Sequence, residues 1–212
     1  MRFIILGASG AGKGTQATAM AKHFNMRHIS TGDFLREEVK TDTALCRAVK
    51  RLIDQGNLVP DELMLSIVHE IMYGDDFILD GFPRTFGQAL ALDEMCERLN
   101  TPIDVAVNIH APDDVVIQRI TGRKVCHDCQ TMFHTIFYPP KVDSVCDICG
   151  GKLEQRPDDT ASTVRNRLKI HHERTLPIID YYNRQGKLVD ISGLGDAKEI
   201  TENLIGILEK RL

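Results

Sequence analysis

Hydrophobic positions along the chain fall into short continuous runs separated by longer amphipathic stretches. Residues 2–6, with Phe3-Ile4-Ile5-Leu6, open the series. Phe77-Ile78-Leu79-Asp80 and Val105-Ala106-Val107-Asn108-Ile109 repeat it. Runs this short and this apolar are what parallel strands buried on both faces require. Two further strands are predicted at residues 27–29 and 188–191. Between them, helices are predicted over residues 15–24, 31–40, 43–55, 61–72 and 85–98, and Pro112 opens another that runs to residue 120. Strands alternating with helices predict an α/β fold built on a parallel sheet. Residues 122–160 break that rhythm with two cysteine pairs, a Pro139-Pro140 step and many turn residues. They read as an insertion carrying its own metal site.

Length and charge narrow the classes. A chain of 212 residues, 42% of them hydrophobic, can bury one sizeable core and carry one or two insertions. The net charge of −4 and the lack of a long basic run argue against a nucleic-acid binder. No apolar run approaches the roughly 20 residues needed to span a bilayer. Met1-Arg2 leads straight into the first strand and not into a signal-peptide pattern. The expectation is a cytoplasmic chain with no membrane and no nucleic-acid partner.

The first chemical motif is Gly7-Ala8-Ser9-Gly10-Ala11-Gly12-Lys13-Gly14-Thr15. It follows a strand and opens a helix, the context a phosphate-binding loop needs. Glycines let backbone N–H groups approach phosphate oxygens, and the helix N-terminus adds partial positive charge. Lys13 can reach the outer phosphates as a point charge. The general motif places Ser or Thr directly after the lysine. Here Gly14 stands there, and Thr15 offers its hydroxyl toward Mg²⁺ one place later. The bland alternative is an ordinary glycine-rich turn.

The second motif is the cysteine set. Two residues separate Cys126 from Cys129, sixteen separate Cys129 from Cys146, and two separate Cys146 from Cys149. Two such pairs point to a closed, four-thiolate structural zinc site. Structural disulfides are the alternative, disfavoured in a reducing compartment. His127 and His134 lie nearby and are not needed as ligands. Cys46 and Cys96, in predicted helices, read as small buried hydrophobes.

Residues 10–16, Gly-Ala-Gly-Lys-Gly-Thr-Gln, resemble the loop of the adenylate kinase family, which usually has proline where this chain has Ser9. The likeness continues in Ser30-Thr31-Gly32-Asp33-Phe34-Leu35-Arg36, in Gly56-Asn57-Leu58-Val59-Pro60-Asp61-Glu62, and in Asp80-Gly81-Phe82-Pro83-Arg84-Thr85 with Gln88. Arg119 and Arg123 flank an entrance to the insertion, and Arg156-Pro157-Asp158-Asp159 with Arg165-Asn166-Arg167 resembles the family's exit from it.

The resemblance implies a P-loop NTPase-type core over residues 1–29, 60–121 and 160–212. It implies a helical monophosphate-binding insertion over 30–59 and a zinc-stapled lid over 122–159, which several bacterial members share. The implied reaction is reversible, Mg²⁺-dependent transfer from ATP to AMP giving two ADP, which balances adenine nucleotides, by a monomer. Gly10, Ala11, Gly12, Lys13, Gly14, Thr15, Arg119, Arg123, Phe133 and Gly195 would bind ATP. Thr31, Arg36, Asn57, Leu58, Val59, Gly81, Phe82, Pro83, Arg84, Gln88, Arg156 and Arg167 would bind AMP. Lys13, Arg84, Arg123, Arg156 and Arg167 would neutralise the transferring group, Asp80 would orient Mg²⁺ through its water shell, and Asp158 and Asp159 would take part in lid closure. Each arginine alone also reads as a solvated surface group, Asp80 as a strand-end turn residue, and Thr31 as a helix cap. A kinase of other specificity (GTP:AMP, or a UMP/CMP kinase) remains an alternative, as does a zinc-ribbon nucleic-acid-binding NTPase.

Overall fold

The computed structural model describes residues 1–39, 41, 43–72 and 76–211. Five parallel strands form the central sheet: β1 (Arg2–Leu6), β2 (Arg27–Ser30), β3 (Phe77–Asp80), β4 (Val105–His110) and, late in the chain, β8 (Leu188–Ser192). Their order is β2-β3-β1-β4-β8, with Ile4 beside Leu79 on one side and Ala106 on the other.

The side-chain alternation of β1 explains its unbroken apolar run. Ile4 and Leu6 enter a layer with Leu79, Leu92 and Tyr182. Phe3 and Ile5 enter the opposite layer with Ala17, Met20, Leu204 and Leu208. Both faces are dry, so the strand cannot afford a polar position. The helices covering them include α1 (Lys13–His23), α4 (Asp61–Ile71), α5 (Phe86–Arg98), α8 (Leu176–Arg184) and α9 (Ala197–Glu209).

Two insertions stand off this sheet. Helices α2 (Thr31–Glu38) and α3 (Ala44–Asp54) lie between β2 and α4. After α6 (Asp113–Thr121) comes a small antiparallel sheet of β5 (Arg123–Cys126), β6 (Met132–His134) and β7 (Leu153–Glu154), ordered β6-β5-β7. Helix α7 (Ala161–Ile170) returns to the core and passes through a π-helical turn, His171–Thr175, into α8.

Several expectations are corrected. Helix α1 begins at Lys13, two residues before the predicted start, because Gly12 supplies a left-handed N-cap. Helix α2 ends at Glu38, and the predicted last residue Lys40 lies outside the described residues. The lid insertion holds three short strands that its turn-rich sequence did not announce. Cys96 is fully buried, as expected, and burial pushes its thiol up to about 11. Cys46 is only half-buried: it sits in the first turn of α3, against the Thr41 hydroxyl at 3.1 Å.

Candidate active site

Because all five core strands run parallel, their C-terminal ends share one edge, where ligands of open α/β sheets bind. The loops leaving that edge, with α2, α3 and the lid, wall a cleft of about 980 Å³. The loop after β1 closes on itself through Ala11 N–H donating to Ala8 O at 3.1 Å. Gly12 has φ +114° and open space where a Cβ would lie, so an L side chain there would be strained and would intrude on the cleft. No side chain caps α1, which leaves first-turn N–H groups directed at the cleft for an anion. Thr15 is exposed in that turn.

The Lys13 amine donates to Ala8 O at 2.9 Å. Burial lowers its pKa to about 8, with Arg84, Arg123 and Arg167 adding to the effect and the Asp80 carboxylate opposing it. That carboxylate ends β3, with Oδ2 at 3.4 Å from His28 Nε2. Burial likewise lowers Arg84 and Arg156 to about 10, with neighbouring guanidiniums contributing. Both stay cationic at neutral pH. The cleft therefore gathers like charges that a bound polyanion would relieve.

On the α2 side, Ser30 and not Thr31 is the N-cap, accepting from Asp33 N–H at 3.2 Å. Thr31 is buried, and its hydroxyl donates to Asp80 O at 3.1 Å. Gly81 is forced to be glycine: φ is +86°, and a Cβ would stand 2.9 Å from the Thr31 hydroxyl. The Gln88 amide is committed within the protein, accepting from Arg84 N–H and donating to Asp61, both at 2.7 Å. Asp33 joins Arg36 at 2.6 Å and Arg156 at 3.0 Å, so one carboxylate links α2 to the lid exit. Although burial opposes it, the Arg36 charge and hydrogen bond hold Asp33 down to about 2.

Arg123 makes a two-pronged bond to the fully buried Asp159 side chain, and Arg167 pairs with Asp158. Burial pushes the Asp158 carboxyl up, and Arg167 outweighs it, leaving the group below its usual range. Arg119 spans the Ala11 and Gly193 carbonyls at 3.3 and 2.8 Å, tying the phosphate loop to the loop after β8 that carries Gly195.

Most of the residues expected to bind nucleotide line the one cleft, including Lys13, Thr31, Asn57, Arg119, Arg156 and Gly195. Three expected participants do not line it: Pro83 borders a smaller cavity behind Arg84, and Asp158 and Asp159 act beneath the arginines. Phe133 reaches the cleft, yet its ring is buried beside Cys126, Cys146 and Leu153 and stacks on Tyr138 at 5.2 Å. Sequence reasoning missed Phe137, Tyr138 and Leu194, exposed apolar side chains on the cleft wall. It gave no role to Asp61, quoted only as part of a motif, which holds both Gln88 and Thr85.

In the lid, the four sulfurs of Cys126, Cys129, Cys146 and Cys149 all lie within 4.8 Å of one another. Cys126 to Cys149 and Cys129 to Cys146 are each 3.5 Å. A tetrahedron with Zn–S arms of about 2.3 Å has edges of about 3.8 Å, so the donor set fits a single metal ion. The hydrogen bond with Thr131 draws the Cys129 thiol down to about 6. Among the described residues, no helix is long and apolar enough to cross a membrane.

A strand, a glycine loop carrying a lysine, and a second strand ending in aspartate beside it define a P-loop nucleotide-binding fold, here with two insertions facing its loop. The family model for adenylate kinase matches residues 5–187. The chain is 47% identical to an adenylate kinase of Caldicellulosiruptor bescii, over 98% of this chain and 99% of that one. It is 46% identical to one from Staphylococcus epidermidis and 45% identical to one from Staphylococcus aureus, each over 99% of both chains. The chain belongs to the adenylate kinase family and is a phosphotransferase.

Proposed function

We propose that the chain moves the terminal phosphoryl group of ATP to AMP, reversibly, giving two ADP. The observation that carries this reading is the convergence of Lys13, Arg84, Arg123, Arg156 and Arg167 on one cleft that also holds Thr31 and the Arg119 clamp. Phosphoryl transfer needs alignment and charge neutralisation more than covalent help. The phosphate loop and Lys13 hold the donor's phosphates. Arg36 and Arg84 hold the acceptor phosphate, and Arg123, Arg156 and Arg167 close over the group in transit. Arginine forks match phosphate oxygens and stay charged. The acceptor is already an ionised phosphate, so no general base is required. The donor base lies against Arg119 with the Gly195 loop beside it, and the acceptor base lies near Thr31, Gln88 and the Asn57–Val59 backbone.

Asp80 would hold Mg²⁺ through the ion's water shell, and the ion would supply charge neutralisation to the donor phosphates. In the lid, the four thiolates suit a structural Zn²⁺ with no open coordination position. The three-part division proposed is a core (1–29, 60–121, 160–212), an acceptor-binding part (30–59) and a lid (122–159), acting as a cytoplasmic monomer. Lid closure over the cleft would exclude water and suppress hydrolysis of ATP.

The test is a turnover panel of nucleotide pairs with and without Mg²⁺. The reading expects ATP with AMP and Mg²⁺ to be the fastest pair, each turnover yielding two ADP. Preference for GTP as donor, or for UMP or CMP as acceptor, would replace it with the kinase of other specificity.

A further inference from the structure

A π-helical turn, His171–Thr175, interrupts what would otherwise be one helix from Ala161 to Arg184. The local cause is Pro177, which lacks an N–H and whose ring would crowd the carbonyl four residues back in a regular helix. A π turn holds one extra residue, so it rotates the helix beyond it by about 100° relative to an uninterrupted one. Such turns often mark functional sites.

Here the turn carries a side chain that reaches Arg84 from the smaller cavity, which Thr175 lines with Arg84 and Arg167. The Thr175 hydroxyl, buried, donates to Arg84 O at 3.0 Å. Arg84 N–H donates to Gln88 Oε1, and the Arg84 guanidinium Nε donates to Gly81 O, each at 2.7 Å. Arg84 is thus held at its carbonyl, its amide and its side chain. Two of these three restraints come from side chains on other elements. The same interrupted helix carries Arg167 on the near side of the turn, paired with Asp158.

We propose that Thr175 is a positioning residue for the acceptor phosphate, acting through Arg84, and that the π turn sets the register this requires. The proposal rests on the reading that Arg84 grips that phosphate. A displacement of about 1 Å in such a group costs up to about a hundredfold in rate. The rival account is that Thr175 merely satisfies a buried carbonyl. That role affects stability without distinguishing one substrate from the other.

The experiment is initial-rate kinetics on the full chain, varying AMP at saturating ATP and ATP at saturating AMP. Thr175→Val keeps the shape and removes the donor, and Thr175→Ser keeps the donor. Arg84→Lys serves as the reference. Thr175→Val is expected to raise the KM for AMP about tenfold with the KM for ATP changed less than about twofold, and Thr175→Ser to restore the AMP value. Thr175→Ala gives the same readout if the valine variant is not recovered folded. If Arg84→Lys leaves the AMP KM unchanged, the reading of Arg84 fails and the proposal fails with it. If Arg84→Lys raises the AMP KM while the Thr175 variants only lower Tm, or raise both KM values alike, the positioning role is overturned.

Discussion

Strand β1 in the core and strand β5 in the lid are both central strands, each paired on two sides. Four of the five β1 residues are buried, and the layers above and below it hold aliphatic and aromatic side chains drawn from six or more elements. Only Val125 and Cys126 of β5 are buried, and the lid's apolar cluster is Cys126, Phe133, Cys146 and Leu153. Two of those four are cysteines, while Ile136, Phe137, Tyr138, Val142 and Ile148 remain exposed around them. The core is held by area removed from water. The lid has too little of that area, and the four thiols gathered at one point could hold a metal ion as a cross-link. Labour is divided accordingly: the sheet edge carries the phosphate loop, and a small outlying piece brings Arg123 and Arg156 to it.

The largest expected effect lies on the core side. Lys13→Met is predicted to lower turnover at least about a thousandfold, or about 4 kcal/mol of barrier, with the fold intact. Steady-state rates with a circular-dichroism melt check it. Retention of more than about a tenth of the activity would remove the phosphate loop from the chemistry.

The lid side comes next. Protein purified without chelator should contain one zinc per chain by elemental analysis. Cys126→Ser or Cys146→Ser should split the calorimetric melt, with a lid transition below the core transition, because metal-binding free energy is folding free energy. Activity should persist in the cold and fail on warming. Should a serine variant lose turnover at every temperature with its lid still folded, the contrast between a chemical core and a structural lid collapses.

A third prediction uses the apo protein. Lys13 has its folded pKa lowered to about 8 from an ordinary value of 10.5, so the unfolded chain binds more protons between those values and stability rises with pH across that window. Below about pH 8 the charged amine carries its full cost. Lys13→Met should therefore be more stable than wild type at pH 7, by about 1–2 kcal/mol after allowing for solvent in the open cleft. The gap should close by pH 10.5. Urea melts at pH 7 and pH 10 measure it, and equal gaps at both would mean the amine is not desolvated.

The smallest effect concerns Thr31. Its hydroxyl is buried and bonded to Asp80 O, and Ser30 does the capping, so helix stability is not its role. Thr31→Ala is expected to reduce discrimination for AMP over other monophosphates by about tenfold, leaving the KM for ATP unchanged. An unaltered acceptor preference would make Thr31 a tether for the β3 end alone.

What was legible in the sequence divides along the same line. Strands β1, β3 and β4 were readable because burial on both faces leaves continuous apolar runs, whereas the edge strands β2 and β8, with Arg27, His28 and Asp190 in them, showed only as short stretches between helices. The phosphate loop and cysteine spacing were readable because their chemistry tolerates few residue types. The lid strands were not, since Met132–His134 and Leu153–Glu154 are too short for any period to show. Helix α7 buries only Thr163, Val164 and Leu168 among charged neighbours, which blurs its stripe. Helix α9 did carry a signal, Ile200, Leu204 and Leu208 at fourfold spacing, that a motif-led reading passes over. Partners that form only in three dimensions, such as Asp61 with Gln88 and Thr175 with Arg84, leave no local trace.

The central claim is that the converging cations pass a phosphoryl group between two bound nucleotides and do not release it to water. A single-turnover reaction with ATP labelled in its γ-phosphate, AMP and Mg²⁺ tests this directly. The account predicts that label appears in the β-phosphate of ADP formed from AMP, with free phosphate at background. Label released as inorganic phosphate, with AMP unchanged, would contradict it.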